Sequence, residues 1–235
     1  MTDPEKKIFP PDFDADPDRF RTAQQVTEDY TQSGDIHEPV AERLAAEGAH
    51  SVLDVGCGEG RLIRPLRERG IFTVGLDSSP TMLGASPGSR VLADAGAMPF
   101  ADNRFDAVAA LYMLYHVPDP RSVLAECRRV LAAGGLFAAV TTSRYDDPEF
   151  MGYLPDNQPT TFDAEEAPDL VREFFKNVEV DRWDGQFVHL PDTRAVVEYV
   201  VGRGNGRKKA EAVAREIGAP LSVTKRGCFI YGYKG

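Results

Sequence analysis

The chain has 235 residues, of which 42% are hydrophobic, and this predicts one α/β domain with a sizeable core. Its formal net charge of -10 argues against nucleic acid as a partner, because a polyanion would be repelled. No apolar run reaches the roughly 20 residues of a membrane span, and the charged, proline-broken N-terminus is unlike a signal peptide. We therefore expect a cytoplasmic protein that does not engage the membrane, with its oligomeric state left open.

The first 50 residues are predicted to form a leader and cap ahead of a main domain of residues 51–235. Residues 1–20 suggest an irregular arm, and residues 19–48 suggest helical pieces broken at Gly34 and Pro39.

The next ninety residues alternate short apolar runs with helical stretches. Such a rhythm is typical of βαβ units and predicts a parallel sheet. The predicted strands are 51–55, 73–76, 90–92, 107–113 and 136–142, and the predicted helices are 61–70, 81–83 and 121–133. Gly134 and Gly135 are expected to stop the last of these helices.

The tail is less regular. A proline-rich loop over 144–161 and a segment over 185–205 are expected to be cap insertions that carry substrate specificity. Asp163 and Glu166 have capping-box spacing and predict a helix with Leu170, Val171, Phe174 and Phe175 on its apolar face. A strand at 178–183, helices at 192–201 and 208–217 and a strand at 227–233 complete the prediction.

The run VLDVGCGEG, residues 52–60, joins a buried strand to a turn with glycine at Gly56, Gly58 and Gly60. A dinucleotide fingerprint would need a third glycine where Arg61 stands, so a pyrophosphate ligand is disfavoured. Carboxylates at Asp54 and Glu59 suit hydroxyl or ammonium donors, while helix-terminal N–H groups could hold a ligand carboxylate. The alternative is a tight turn without a ligand.

Two further carboxylates follow the next two strands. Asp77 ends the second strand and could accept both hydrogen bonds of a ribose diol, although a strand-end or N-cap aspartate is the alternative. Asp94 ends the third strand and could accept a hydrogen bond from an adenine amino group, although a loop aspartate is the alternative. Together with the glycine turn, they predict a pocket for an adenosine joined to an amino acid.

With these features, the chain from Ser51 to Thr142 resembles the class I S-adenosylmethionine-dependent methyltransferases. The resemblance is to the ubiquinone/menaquinone-biosynthesis-like branch, methyltransferase type 11. It rests on the motifs VLDVGCGEG, GLDSS, ADAGAMPF, NRFDAVAALYMLYHVPDP and VLAAGGLF. It implies a Rossmann-like three-layer sandwich with a seven-stranded, mostly parallel sheet whose last strand is antiparallel. It also implies S-adenosylmethionine as cofactor, S-adenosylhomocysteine as product and a small-molecule acceptor.

The resemblance also implies roles for individual residues around the cofactor. The glycine turn and Asp54 would hold the methionyl part, Asp77 the ribose, Asp94 and Ala95 the adenine, and Leu111 would lie beside the ligand. Tyr30 would close over the cofactor, with simple packing as the alternative. The complete predicted cofactor set is Tyr30, Asp54, Gly56, Cys57, Gly58, Gly60, Asp77, Ser78, Asp94, Ala95 and Leu111.

Methyl transfer from a sulfonium is an in-line displacement in which alignment and desolvation supply much of the rate. If a base is needed, His116 is the candidate, unless it caps the following segment. The predicted acceptor-binding residues are Tyr112, Tyr115, Arg144, Phe187 and His189. Arg144 and Arg194 could clamp a carboxylate or simply be solvated. Aromatic residues in the cap, including Phe150 and Tyr199, suggest a partly apolar acceptor or cap packing.

The three cysteines, Cys57, Cys127 and Cys228, lack the spacing of a zinc site or a disulfide framework. We expect packed thiols and no metal. The acceptor atom, whether oxygen, nitrogen or carbon, is left open. The alternatives are a catalytically inactive cofactor-binding regulator or partner subunit and a methyltransferase for protein side chains, while Arg61 opposes a nicotinamide oxidoreductase.

Overall fold

The computed structural model describes residues 17–32, 34–154 and 159–235. Its strands are β1 (Ser51–Val55), β2 (Phe72–Asp77), β3 (Ser89–Leu92), β4 (Phe105–Leu111), β5 (Leu131–Thr142), β6 (Lys176–Leu190) and β7 (Leu221–Tyr233). They form a seven-stranded sheet in the order β3-β2-β1-β4-β5-β7-β6. Strands β1 to β5 pair in parallel, and β7 is antiparallel to both β5 and β6. The predicted fold class is confirmed.

Helices cover both faces of this sheet. They are α1 (Pro17–Tyr30), α2 (His37–Ala46), α3 (Ile63–Glu68), α4 (Pro80–Ala85), α5 (Pro120–Val130), α6 (Ala167–Arg172), α7 (Thr193–Gly202) and α8 (Arg207–Ile217). Successive residues of β1 point to opposite faces. Val52 joins a buried cluster with Leu44 of α2, whereas Leu53 joins a cluster with Leu124 of α5. The three layers of the predicted sandwich follow from this alternation.

A third apolar cluster forms a cap around α1, α7 and α8. Pairing between β5 and β7 ends at Thr142 and Gly227, but the β6–β7 ladder continues to Leu190 and Leu221. The hairpin therefore projects beyond the end of β5, at the carboxyl edge of the parallel strands, and its buried residues pack against α7 and α8. Residues 31–32 add to it, since Gln32 N–H donates to the carbonyl of Phe187 at 2.8 Å. The cap thus lies at the sheet edge where α/β folds bind ligands.

The predicted end of α5 at residues 133–135 is wrong. The helix ends at Val130, and Leu131 already belongs to β5, where it pairs with Phe105 and is fully buried. The carbonyls at the helix end are satisfied from elsewhere, since Arg104 N–H donates to Val130 and Lys234 Nζ to Leu131, both at 2.7 Å. The helix therefore ends where Leu131 enters the sheet and is buried, several residues before the glycines that predict a helix stop.

Other boundaries also differ from the prediction. Pro39 does not break α2 but lies in its first turn, where an N–H has no intrahelical partner and proline is tolerated. The helix predicted to begin at a capping box is shorter, because Glu166 is the N-cap of α6 and Phe174 lies beyond its end. Strands β6 and β7 are longer than predicted, and β6 takes up the start of the expected 185–205 insertion.

The predictions for residues 1–16 and for 155–158 of the cap loop lie outside the described residues. Within the described ranges, no helix combines the length and apolarity required to cross a bilayer.

Candidate active site

The glycine turn between β1 and α3 is in close contact with the end of β4. Gly56, Gly58 and Gly60 all have positive φ angles, at 67°, 51° and 80°. A Cβ atom placed on Gly56 would stand 2.7 Å from the Cβ of Met113. Glycine is therefore required at position 56 by both backbone conformation and space.

The amides of this turn are already used within the protein. Gly56 and Cys57 donate to the carbonyl of Leu76 at 2.7 and 3.0 Å, and Gly58 donates to Asp77 Oδ2 at 2.8 Å. The first helical residue of α3 is Ile63, beyond the turn. The amides of Gly56, Cys57 and Gly58 are therefore not available to a ligand carboxylate, and a role for the helix-terminal amides nearer α3 stays a prediction. The turn instead offers a fixed shape, locked to β2.

The two carboxylates of the glycine motif have different environments. Asp54 is only 3% exposed, and its side chain has no hydrogen-bond partner within the described ranges. Burial, with a contribution from the negative charge of Asp77, raises the pKa of Asp54 to about 8. Glu59 instead pairs with Arg21 of α1 at 3.2 Å. Asp54 is thus the carboxylate with an unused capacity to accept hydrogen bonds.

Asp77 is fixed at the carboxyl end of β2 by two backbone amides. Its Oδ2 accepts from Gly58 and its Oδ1 from Ser79, at 2.8 and 2.9 Å. Each oxygen keeps a further lone pair for a ligand hydroxyl. The N-cap of α4 is Ser79, whose Oγ accepts from Met82 N–H at 3.1 Å, so capping does not account for Asp77. Ser78 is exposed beside it.

The residues expected around the adenine follow β3. Asp94 is exposed, and its Oδ1 accepts from Gly96 N–H at 2.7 Å. In the described structure, Asp94 Oδ2 has no hydrogen-bond partner. Ala95 and Leu111 are both buried and belong to the two core clusters on opposite faces of the sheet. One carboxylate oxygen of Asp94 therefore remains available to a donor.

The segment after β4 carries the catalytic candidate and two acceptor-binding candidates. Tyr112 has a φ of 53°, which is unusual for a bulky residue. Tyr115 and His116 lie on the 3-10 turn Leu114–His116, and their ring centroids are 4.5 Å apart. Burial raises the pKa of Tyr115 to about 12 and that of Tyr112 above its usual range. Both tyrosines are therefore neutral at physiological pH.

Three candidates from the leader and the cap lie in different surroundings. Tyr30, at the end of α1, packs against the cluster formed with α7 and α8. Phe187 is half-buried on β6, where its ring fills the space beside Gly185. His189 is exposed, with Nδ1 3.3 Å from Ser222 Oγ. Within the described residues, Tyr112 makes no hydrogen bond or ring contact with any of these three.

Arg144, one of the two predicted carboxylate clamps, is held by carboxylates of the protein itself. Its Nε and Nη2 form a bidentate pair with the buried Asp163, at 3.0 and 2.8 Å, and Nη2 also contacts Glu166 at 2.6 Å. These contacts tie the loop after β5 to the start of α6. Arg194 is paired with Glu198 at 2.8 Å on the surface of α7. The structure shows Arg144 in ion pairs within the protein, and its use as a carboxylate clamp stays a prediction.

A group of four charged residues beside the tyrosines is missed by the sequence. We call Asp146, Asp147, Arg203 and Lys225 the ionic quartet. Lys225 Nζ bonds both aspartates, reaching Asp147 Oδ1 at 2.6 Å, while Arg203 Nη2 lies 2.6 Å from Asp147 Oδ2. The hydroxyl of Tyr199 donates to Asp147 Oδ1, also at 2.6 Å. In the sequence, only the adjacent Asp146 and Asp147 could have indicated this group, because the two cations lie far along the chain.

The geometry can be compared with known proteins. A family model described as "Methyltransferase domain" matches residues 53–139. The chain is 35% identical over 116 residues to a demethylmenaquinone methyltransferase from Renibacterium salmoninarum, covering 47% of this chain and 48% of the relative. It is 31% identical over 115 residues to a ubiquinone biosynthesis O-methyltransferase from Xylella fastidiosa, covering 45% and 46%. The chain thus spans less than half the length of these relatives.

The similarity of fold covers more of the chain than the similarity of sequence. The structure of a Haemonchus contortus phosphoethanolamine N-methyltransferase, solved with S-adenosylhomocysteine, superposes with a TM-score of 0.62. It covers 95% of this chain and 59% of the other, at 14% sequence identity. At this identity the superposition shows a shared fold only. The segment of residues 53–139, which includes the glycine turn and strands β2 to β4, therefore matches the methyltransferase-domain family model.

Proposed function

We propose that this protein transfers a methyl group from S-adenosylmethionine to a small-molecule acceptor. The observation that carries the proposal is Asp54, a buried carboxylate without a hydrogen-bond partner in the described chain, next to a turn that excludes any Cβ at Gly56. A ligand ammonium group would satisfy this carboxylate, and the cofactor carries one at its methionyl end. The residues present fit the cofactor.

We assign the remaining cofactor contacts by position along the carboxyl edge. Asp77 would accept from the ribose hydroxyls through the lone pairs that its backbone amides leave free. The unused oxygen of Asp94 would accept from the adenine amino group. Gly56, Cys57, Gly58 and Gly60 would shape the methionyl site, while Ala95 and Leu111 would supply apolar walls.

When bound, the cofactor supplies a methyl group whose bond to sulfur breaks as the acceptor's electron pair forms the new bond, leaving S-adenosylhomocysteine. For a hydroxyl or amine acceptor, His116 is our candidate for the base that takes the acceptor's proton. It lies three residues beyond Met113, which contacts the glycine turn. The chain's main contributions would be alignment and exclusion of water.

The acceptor is not assigned by the relatives. Their names refer to quinone pathways, but the segment that matches the family model, residues 53–139, is where most of the proposed cofactor contacts lie. The cap elements that would face an acceptor, from the loop after β5 to α8, follow that segment in the chain. We propose a cytoplasmic enzyme, in line with its three buried free cysteines, and one that acts without nucleic acid.

The test is a mass-spectrometric screen of the purified protein with S-adenosylmethionine against phenols, small amines, carboxylic acids and indoles. We expect at least one acceptor to gain one methyl group and the reaction to be lost in Asp77→Ala. S-adenosylhomocysteine affinity is measured in parallel by calorimetry. Cofactor binding without turnover across the panel would favour the regulator alternative, and absence of cofactor binding would refute the proposal.

A further inference from the structure

The acceptor end of the site contains a strained tyrosine between the cofactor turn and the ionic quartet. A bulky residue with positive φ is strained, and such a conformation is retained where the surroundings impose it. At Tyr112, the backbone is fixed by its N–H, which donates to Val140 at 2.9 Å, and by Met113, which packs on Gly56. The strain therefore sets the direction of one side chain next to the cofactor turn.

The hydroxyl of Tyr112 is unused. Throughout the described chain, it has no hydrogen-bond partner, and it is not among the polar atoms sealed from solvent. Its pKa is raised by burial and by Tyr115, lowered by Lys225 and raised by Asp146. The hydroxyl therefore keeps its proton at physiological pH and can donate a hydrogen bond.

The quartet itself has little capacity left to accept hydrogen bonds. Asp146 Oδ1 accepts from the amide of Arg226 and its Oδ2 from Lys225. Asp147 Oδ1 accepts from Lys225 and Tyr199, and its Oδ2 pairs with Arg203. Every carboxylate oxygen is therefore occupied at least once.

Unused hydrogen-bond donors remain on one cation of the quartet, Arg203. Arg203 uses Nη2 for Asp147 and Tyr199, while its Nε and Nη1 have no hydrogen-bond partner in the part of the chain described. Its side chain is 35% exposed, so these groups can be reached from outside. Arg203 and Lys225 share Asp147, and β7 pairs with β5 only up to Gly227, so the quartet lies beyond the same end of β5 that binds the Tyr112 amide.

Building on the proposed function, we propose that Tyr112 and Arg203 recognise the acceptor by donating hydrogen bonds to an oxygen that it carries. The substrate class is an aromatic or other partly apolar compound with a carboxylate, carbonyl or phenolic oxygen. An ammonium group in that place has no lone pair for these donors, and the carboxylate oxygens of the quartet, each already occupied, leave it few acceptors. Tyr112 is the recognition residue, and the aspartates are positioning residues for Arg203.

Two probes that share one ring test this class. 3,4-Dihydroxybenzoate and 3,4-dihydroxybenzylamine have the same reacting hydroxyls and differ in one carboxylate or ammonium group. We expect the benzoate to bind the complex of protein and S-adenosylhomocysteine at least tenfold more tightly, measured by calorimetry on the full chain. Equal binding, tighter binding of the amine, or no binding of either probe to that complex would overturn the inference.

Variants then separate recognition from structure. One lost hydrogen bond predicts that Tyr112→Phe weakens benzoate binding about tenfold. Arg203→Lys keeps the charge that balances the aspartates but removes the guanidinium fork, and we expect a similar loss for the benzoate and little change for the amine. Tyr145→Phe, the same chemical change at a 50% exposed tyrosine, is the matched control and should bind like the parent.

The affinity for S-adenosylhomocysteine is recorded for each variant. A loss of benzoate binding in Tyr112→Phe with cofactor binding retained supports the inference, and unchanged benzoate binding overturns it. If the parent protein fails to bind S-adenosylhomocysteine at all, the proposed function itself has failed, which is a separate outcome from failure of the acceptor class.

Discussion

The carboxylate of Asp77 and the backbone amide of Gly58 are joined by a hydrogen bond of 2.8 Å, which ties the end of β2 to the glycine turn after β1. One side chain thereby holds the shape of the turn and presents lone pairs to the expected ribose. The conformation of the turn and the affinity for the ribose are therefore coupled through a single carboxylate.

Asp77→Asn should weaken S-adenosylhomocysteine binding about tenfold to a hundredfold, because hydrogen bonds to a charged group contribute about 1.5–3 kcal/mol each. In addition, the side-chain NH₂ of asparagine would face the backbone N–H of Gly58 or Ser79, and two donors cannot bond each other. Calorimetric titration measures the effect. Asp184→Asn, on a 65% exposed side chain of β6, is the control and should bind normally. Equal affinity in the two variants would contradict the assigned role.

Cofactor binding near neutral pH should release a proton from Asp54. Its pKa of about 8 in the free protein means that the carboxyl is mostly protonated at pH 7, and an adjacent ammonium group would lower that pKa. Titration in buffers with different enthalpies of ionisation gives the number of protons released. We expect up to about one in the parent and none from this group in Asp54→Asn.

The same carboxyl should affect stability with a definite sign. Between its ordinary pKa of 3.8 and about 8, the folded state holds a proton that the unfolded chain releases. The free energy of unfolding should therefore fall as the pH rises through this window. Denaturant titrations of parent and Asp54→Asn at several pH values would show a weaker decline in the variant. Identical pH profiles would argue against the shifted pKa.

Gly56→Ala should be more harmful than an alanine at another glycine with the same backbone conformation. Gly48 has a φ of 76° with open space around it, so Gly48→Ala tests the left-handed conformation alone, at about 1–2 kcal/mol. Gly56→Ala adds a contact of 2.7 Å with Met113. We expect lower stability and weaker cofactor binding than in the control, measured by chemical denaturation and calorimetry. Equal losses of stability and affinity in the two variants would mean that Met113 shifts easily to make room for the added methyl group.

Lys225→Met should destabilise the protein by about 3 kcal/mol, because it leaves Asp146 and Asp147 with one cation between them in a largely buried position. The control is Arg207→Met, whose side chain is 68% exposed in a loose pair with Glu211 and should contribute less than about 1 kcal/mol. Urea denaturation measures both. A loss of unfolding free energy no larger than that of the control would show that water stabilises the two carboxylates as well as Lys225 does.

Local signals located the cofactor edge because its residues are close in sequence and each ends a strand of a parallel sheet. The glycine turn, Asp77 and Asp94 all follow strands that the apolar pattern predicts, and parallel strands bring their carboxyl ends to one edge. Strand alternation and connection rules were enough for the fold class. The antiparallel last strand was implied by the family resemblance alone.

Only the tertiary structure decided which carboxylates remain available and what surrounds the acceptor end. Asp54 and Glu59 look equivalent in sequence, yet burial isolates one and Arg21 of α1 neutralises the other. The sequence predicts Arg144 as a substrate clamp, whereas the folded chain pairs it with Asp163. The ionic quartet joins residues from the loop after β5, α7 and β7, and such long-range pairing leaves no periodic trace because charge pairing depends on distance in space and not along the chain.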